Sequence, residues 1–192
     1  MTRGRRPRSE AARAARARAP RPTASAAGLR GIRIRPARPE DLAALAQLMA
    51  DSTLLGRYRT TRAGAHRALV RGRRDGDRLL VARQAGAGPI GLAWVIVSRI
   101  LTGAAYLRLL LVADGRQRRG LGGRLLAAAE SEARTAANHL LLLVTTGNVG
   151  ARRFYERRGY RHVGDLPGLA RPGLDEALYQ KALRPHRKRL PV

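Results

Sequence analysis

Residues 109–126 have the sequence LLLVADGRQRRGLGGRLL, and this stretch decides the fold class. Its first part predicts a buried strand, and its last part predicts a helix whose apolar residues recur every four positions. A short basic loop that ends in glycines joins the two. The first N–H groups of such a helix lack partners within it and lie at the positive end of its dipole. Because Gly120, Gly122 and Gly123 let a ligand approach the main chain closely, the junction predicts a pyrophosphate site. A tight turn with solvated arginines is the plainer alternative.

Strands and helices alternate on both sides of this junction. Strands are predicted at 32–34, 79–83, 90–98, 106–113, 140–144, 160–163 and 176–183, and helices at 39–49, 61–74, 120–137 and 148–158. A turn at 86–89 joins two of the strands as a hairpin. The pattern predicts an α/β domain built on a central sheet.

Length and composition indicate how the chain is divided. It has 192 residues, of which 44% are hydrophobic, and this suits one folded domain with a substantial core. Between Met1 and Leu29 there is no large apolar residue, so we expect residues 1–29 to form a disordered arm. The folded domain is then expected at 30–184, and a basic tail at 185–192.

Several kinds of site are disfavoured by what the sequence lacks. Without cysteine there is no disulfide scaffold and no thiolate catalysis, and four scattered histidines argue against a metal site. No apolar run reaches the roughly 20 residues of a membrane helix, and no apolar core follows the basic N-terminus as it does in a secretory signal. We therefore expect no metal, no membrane contact and a cytoplasmic location.

The formal net charge of +26 needs its own interpretation. Such a basic excess is typical of proteins that bind nucleic acids or other polyanions. Here Lys181 and Lys188 are the only lysines, and the abundance of Arg, Ala, Gly and Pro is what a GC-rich coding bias would produce. We favour a solvated basic surface. Weak, non-specific nucleic-acid binding through the arm stays open, as does a homodimer.

Two motifs resemble those of one enzyme superfamily. Residues 117–122, QRRGLG, match the Q/R-x-x-G-x-G/A signature of the GNAT superfamily of acyl-CoA-dependent N-acyltransferases. Residues 148–160 match its N-x-x-A-x-x-F/L-Y-x-x-x-G-F/Y element, and the order of strands and helices agrees from Ile32 to Leu183. The resemblance implies the GNAT fold, a mixed and mostly antiparallel sheet with helices on both faces and two parallel strands that splay apart at the cofactor cleft. It also implies acetyl-CoA as cosubstrate and an amine as acceptor.

The resemblance further assigns roles to particular residues. Main-chain groups of the strand before the loop would hold the pantetheine arm, the loop and helix N-terminus would hold the pyrophosphate, and an asparagine after the fifth strand would hydrogen-bond the pantetheine. In chain order, these cofactor-binding residues are Leu110, Leu111, Val112, Arg118, Arg119, Gly120, Leu121, Gly122, Gly123 and Asn148. Tyr155 would be the catalytic acid that protonates the departing thiolate, because a phenol stays protonated at neutral pH. The plainer alternatives are a helix N-cap for Asn148 and a core ring for Tyr155.

The sequence departs from familiar members of the superfamily in its acids. Some members carry a glutamate in the strand before the loop, at a position occupied here by arginine. The bacterial ribosomal-protein N-terminal acetyltransferases carry one at the position of Leu143. The general base is therefore left open between relayed water and an acid from another strand, such as Asp175 or Glu176. His139 and His162 are further candidates, although surface or strand-end positions are more usual for such histidines.

Acceptor contacts are expected from the helices at about 51–74, with Asp51, Tyr58 and His66 as candidates that equally suit surface or packing positions. Most acids fall at caps, turns or helix exteriors, as we expect for Glu130, so few remain to line a cleft. Aminoglycosides and polyamines are therefore disfavoured, because a buried multivalent cation needs paired carboxylates.

Three functions remain to be compared. The first is an N-acetyltransferase that moves an acetyl group from acetyl-CoA to a primary amine of a small molecule or peptide, by direct attack in a ternary complex. The second is a protein acetyltransferase that modifies the N-terminus or a lysine of a ribosome- or RNA-associated target. The third is a non-catalytic acyl-CoA-sensing or nucleic-acid-binding module. The presence of Asn148 and Tyr155 favours catalysis.

Overall fold

The computed structural model of the chain describes residues 29, 31–101, 103–117 and 119–183. The predicted arm before Leu29, Arg118 of the basic loop and the predicted tail at 185–192 lie outside the described residues. In chain order the elements are β1 (Ile32–Pro36), α1 (Leu42–Ala50), α2 (Thr53–Gly56), α3 (Arg62–Arg74), β2 (Arg78–Gln84), β3 (Pro89–Leu101), β4 (Ala104–Val112), α4 (Leu121–Arg134), β5 (His139–Thr145), α5 (Val149–Glu156), β6 (Arg161–Arg171) and β7 (Leu174–Ala182).

All seven strands belong to one sheet, in the order β1-β2-β3-β4-β5-β7-β6. Neighbouring strands run antiparallel except β4 and β5, which run parallel and are joined by the crossover helix α4. The mixed, mostly antiparallel α/β fold predicted from the sequence is therefore confirmed. Strand β6 runs well beyond the predicted 160–163, because it pairs with β7 up to the hairpin at its end.

Helices cover both faces of the sheet. On one face, α1 and α3 pack through a cluster that includes Leu45, Leu69 and Trp94. On the other face, α4 and α5 pack through a second cluster that includes Leu125 and Tyr179. No helix among the described residues combines the length and hydrophobicity that a bilayer crossing needs.

One β-bulge separates the two parallel strands. Arg108 is the extra residue of β4, since it lies between the β3–β4 pairs Trp94↔Leu109 and Val95↔Leu107. A bulge bends its strand and increases the local twist. The pairing of β4 with β5 ends at Leu107, next to the bulge, while β4 continues to the end of its own pairing with β3. The predicted splaying of the two parallel strands is thus present and has a local cause.

The expectation that Glu130 lies on a helix exterior is wrong. The residue is 6% exposed, and its carboxylate accepts hydrogen bonds from Lys181 Nζ at 2.8 Å, the Tyr160 hydroxyl at 3.2 Å and Arg134 Nη2 at 3.4 Å. A buried carboxylate is tolerated when cations and donors surround it in this way. The lysine comes from β7, so the periodicity of α4 alone could not reveal the partner.

Candidate functional site

A cavity of about 620 Å³ opens where β4 and β5 separate. Its walls are the segment from α1 to α3, the splayed ends of β4 and β5, the start of α5 and parts of β6 and β7. The volume lies within the range usual for small-molecule sites. The lining side chains that matter for chemistry are Tyr58, Arg59, Tyr106, Arg108, Asn148, Tyr155 and Glu176.

Glu176 is the only acid among the described residues that line this cavity. It lies on β7 opposite Thr145 of β5 and is 3% exposed. Its Oε1 accepts hydrogen bonds from the Tyr58 hydroxyl at 2.8 Å and from Thr145 Oγ1 at 3.4 Å. Oε2 receives no hydrogen bond from the described residues, and none of the described cations pairs with the carboxylate. Burying a carboxylate without a cationic partner costs free energy. A cationic or proton-donating ligand would supply the missing partner, so Glu176 is a candidate ligand-binding residue.

Tyr58 reaches Glu176 from the connection between α2 and α3. This connection is fixed by Arg171 Nη1 of β6, which donates to the Arg57 carbonyl at 2.7 Å. The Tyr58 hydroxyl also lies 3.0 Å from Thr145 Oγ1. Burial raises the pKa of Tyr58, so the phenol remains a hydrogen-bond donor across the physiological range. Sequence reasoning placed Tyr58 among the acceptor contacts but could not anticipate this pair.

Tyr155 lies on α5 and lines the same cavity, and it is 8% exposed. Its ring packs edge-to-face against Phe154, with centroids 5.1 Å apart, and against Tyr160 at 5.4 Å. Burial raises the pKa of Tyr155 well above its ordinary value, so the phenol holds its proton. The residue thus packs as a core ring and also borders the cavity. Both interpretations of Tyr155 from the sequence, a catalytic acid and a core ring, are compatible with this position.

Asn148 is the N-cap of α5 and lines the cavity. Its Oδ1 accepts a hydrogen bond from the Ala151 N–H at 3.1 Å, which satisfies one of the unpaired donors at the helix start. The cap uses the oxygen of the carboxamide, so the amide N–H groups are the part that can serve a ligand.

The glycine-rich junction begins α4 as predicted. Gly120 has φ +84°, a left-handed conformation that favours glycine, and α4 starts at the next residue. A Cβ on Gly122 would meet Phe154 at 3.6 Å and Val112 at 3.8 Å, which are ordinary contacts. Packing therefore does not require glycine at position 122, and close approach of a ligand is the better reason for it. Arg119 is exposed beside this helix start.

The main-chain N–H and C=O groups of successive β4 residues point alternately toward β3 and toward the gap between β4 and β5. The Ala113 N–H donates to the Ile90 carbonyl at 3.0 Å, which fixes the phase of the β3–β4 ladder. In an antiparallel pair, alternate residues turn their main-chain groups to opposite sides. The main-chain groups of Leu110 and Val112 therefore face the gap, and those of Leu111 face β3. Leu111 is 2% exposed and belongs to the core.

Other candidates from the sequence do not line the cavity. Asp175, the neighbour of Glu176 on β7, is exposed and accepts a hydrogen bond from the Gly168 N–H at 3.0 Å. His162 Nε2 lies 2.8 Å from Asp165 Oδ1 in an exposed pair, and His139 begins β5 at the closed end of the parallel strands. Of the predicted acceptor contacts, Asp51 and His66 are exposed elsewhere.

Comparisons with known proteins agree with this geometry. Residues 42–160 match the sequence model of the acetyltransferase (GNAT) family. A ribosomal-protein-alanine N-acetyltransferase from Brucella melitensis is 26% identical, with a TM-score of 0.65 over 78% of this chain and 99% of that one. A protein from Salmonella typhimurium, assigned as an acetyltransferase and solved with its cofactor acetyl-CoA, is 20% identical, with a TM-score of 0.67 over 82% and 96%. A GNAT protein from Desulfovibrio desulfuricans is 21% identical, with a TM-score of 0.68 over 80% and 99%. No curated protein matches the chain.

Proposed function

Because this chain belongs to the GNAT family of acetyltransferases, we propose that it moves an acetyl group from acetyl-CoA to a primary amine of a small molecule or peptide. It is an acetyl-CoA-dependent acyltransferase by family and fold. The proposal adds the kind of acceptor, direct attack within a ternary complex and the residues that take part.

Two features of this chain fit acetyl-CoA. The start of α4 offers unpaired N–H groups, glycines and the Arg119 guanidinium to a pyrophosphate. The splayed part of β4 offers main-chain groups of Leu110 and Val112 to the amides of the pantetheine arm. Leu121 contributes main-chain atoms to the same helix start, whereas the Gly123 N–H already donates to the Gly120 carbonyl at 3.1 Å. The amide of Asn148 would extend the contacts across the gap. Acetyl-CoA supplies the acetyl group as a thioester.

The observation that carries the proposal is the buried carboxylate of Glu176. An amine in water is mostly an ammonium ion, and an ammonium ion would give this carboxylate the cationic partner that it lacks among the described residues. The amine must lose a proton to become a nucleophile, and Oε2 is the atom that can accept it. Glu176 thus replaces the carboxylates that the sequence lacks on the neighbouring strands.

The remaining proton is delivered by Tyr155. Its raised pKa keeps the phenol protonated, so it can donate to the sulfur as the C–S bond breaks. Glu176 takes one proton from the ammonium ion, and the neutral nitrogen forms the new bond to the acetyl carbon. As the C–S bond breaks, the sulfur takes the phenolic proton, and the second nitrogen proton passes to the phenolate, so that the products are the amide, the CoA thiol and a protonated Glu176 that releases its proton to water. Holding both reactants in one cavity supplies a large share of the rate.

The similarity to the Brucella enzyme favours one second candidate, the N-terminal amine of a ribosomal protein. In this chain Leu143 lines the cavity where the resemblance places a glutamate in that class. Glu176 lies on the adjacent strand, facing the same space. A peptide N-terminus therefore belongs in the substrate panel beside small amines.

The test is a turnover screen that follows CoA release with a panel of amines and N-terminal peptides. We expect turnover with the parent protein, and a loss of about 10²–10⁴-fold in kcat for Glu176→Gln. Asp175→Asn is the matched control, since it removes a carboxylate from the next residue of the same strand outside the cavity, and it should retain the parental rate. Binding of CoA without turnover of any amine would favour the non-catalytic alternative. Equal rates for Glu176→Gln and the parent would remove Glu176 from the mechanism.

A further inference from the structure

The cavity carries more positive than negative charge, which is unexpected for a site that accepts a cationic amine. Its charged lining consists of Glu176, Arg59 and Arg108. An amine whose only charge is its ammonium group is attracted by the carboxylate and repelled by both guanidinium groups. An acceptor that brings its own negative charge would satisfy all three residues.

Arg108 is held in a defined position by the bulge of β4 and by Trp94. Its guanidinium carbon lies 4.8 Å from the centroid of the Trp94 ring, in a cation–π arrangement. Trp94 itself is 3% exposed, so the indole is a fixed support. No described acid forms an ion pair with Arg108, and its donors are available to a planar anion such as a carboxylate.

Arg59 lines the cavity from the connection between α2 and α3, where it occupies an unusual backbone conformation. Its φ is +53°, and it is the only non-glycine residue with positive φ among those that the structure describes. Left-handed backbone is unfavourable for an arginine, and glycine or asparagine would adopt it at a lower cost. Arg59 lies in a hydrogen-bonded turn, in which its N–H donates to the Gly56 carbonyl at 3.0 Å. Arg59 likewise has no ion-pair partner among the described acids.

We propose that the acceptor is an amine that also carries a carboxylate, such as a free α-amino acid. Its ammonium group binds Glu176, and its carboxylate binds Arg108 and Arg59 in the same cavity. This inference rests on the proposed function and names the substrate class of that site. It separates a free amino acid from a peptide N-terminus, in which an uncharged amide replaces the carboxylate.

The test compares each amino acid with its own primary amide and with the amine that lacks the carboxylate. We expect the parent protein to prefer the acid over the amide by roughly ten- to hundredfold in kcat/KM, the usual worth of charged hydrogen bonds. The amide is the less protonated amine at neutral pH, so intrinsic reactivity opposes this preference. Arg108→Gln and Arg59→Gln should each reduce the ratio of kcat/KM for the acid to kcat/KM for the amide, because each removes donors that the carboxylate uses and the amide does not. Arg67→Gln, an exposed arginine of α3 outside the cavity, should leave it intact.

Trp94 provides a second measurement that does not depend on turnover. It is the only tryptophan of the chain, and Arg108 lies over its ring. In the presence of CoA, an amino acid should change its fluorescence in a saturable way, its amide should do so more weakly, and Arg108→Gln should lose the response. Turnover without preference for the acid, or a preference that survives both arginine substitutions, would overturn the inference and leave the proposed function standing. An acid-specific fluorescence response without turnover of any amine would contradict the proposed function and the role of the amino acid as acceptor, and would leave an amino-acid-binding site without catalysis.

Discussion

The hydroxyl of Tyr58 lies 2.8 Å from Oε1 of Glu176 and joins the helical segment before α3 to the seventh strand of the sheet. This contact brings together two residues 118 positions apart in the chain. It fixes one oxygen of the buried carboxylate and leaves the other to the cavity. The proposed base is therefore oriented by a residue that belongs to neither motif of the sequence.

We expect Tyr58→Phe to lower kcat/KM for the amine by about tenfold, because Glu176 loses a hydrogen bond to a charged group. The KM for acetyl-CoA should not change, since Tyr58 lies on the acceptor side of the cavity. Tyr106→Phe is the matched control: it removes another hydroxyl from the same cavity, one without a hydrogen bond to Glu176. A similar loss in both variants would show that the cavity lining matters and that the specific contact does not.

Tyr155→Phe should reduce kcat by up to 10²–10⁴-fold and leave CoA affinity nearly unchanged, because the ring packing survives and only the proton donor is lost. The deficit should shrink as pH rises toward the pKa of the CoA thiol, where the thiolate leaves unprotonated. Tyr160→Phe is the control, since its hydroxyl bonds Glu130 and lies outside the cavity. The pH–rate profiles of the three proteins make the measurement. A profile for Tyr155→Phe that coincides with the parent would reduce Tyr155 to a packing residue.

Two substitutions of Gly122 test whether this glycine is needed for CoA binding or for folding. Gly122→Ala should fold with an equal or higher Tm, because its Cβ would make ordinary contacts and alanine favours helix. Gly122→Glu should also fold but weaken CoA binding by about fivefold or more, since a like charge near the pyrophosphate costs about 1 kcal/mol or more even at high dielectric. Calorimetric titration with CoA and thermal unfolding give both quantities. If the glutamate variant binds CoA as the parent does, the pyrophosphate lies elsewhere.

Asp41 makes the stability of the fold depend on pH. It is fully buried at the start of α1 and accepts hydrogen bonds from Arg35 Nη1 at 2.6 Å and Arg83 Nη1 at 2.9 Å. The Arg35 hydrogen bond, followed by those from the Arg38 N–H and Arg83, outweighs burial and lowers the pKa of Asp41 from 3.8 to about 2. A carboxyl group with a lowered folded-state pKa stabilises the protein above its unfolded pKa and loses this contribution as pH falls through the folded one. The contribution is about 2 kcal/mol, lost between roughly pH 4 and pH 2.

Urea unfolding from pH 7 down to pH 2 checks this expectation with Asp41→Asn. The variant should be less stable by about 2 kcal/mol at pH 7 and should approach the parent at the acid end. Glu40→Gln is the control, because its pair with Arg38 is exposed and 3.7 Å long, and exposed pairs contribute little. A constant difference between Asp41→Asn and the parent at every pH would mean that packing, and not charge, explains the loss.

Several expectations from the sequence remain predictions. They are the disordered arm at 1–29, the tail at 185–192, the role of Arg118, the cytoplasmic location, weak nucleic-acid binding and a homodimer. The fold, the family and the cosubstrate were predictable because their signals are local. A glycine that adopts positive φ, as at Gly120, and the continuous apolar run of β5 are patterns that span only a few neighbouring residues.

Local sequence patterns were sufficient to predict the order of the elements, the glycine-rich helix start, the Asn148 cap and the placement of Tyr155 on a helix beside Phe154. The tertiary structure decided which acid faces the cavity. Asp175 and Glu176 are adjacent in sequence, and only the pairing of β7 with β5 turns Glu176 toward Thr145 and Tyr58. It also decided that Glu130 is buried, because Lys181 arrives from β7. The physical reason is the same in both cases: burial and ion pairing depend on side chains that are distant in the chain, and no local pattern records which of them meet.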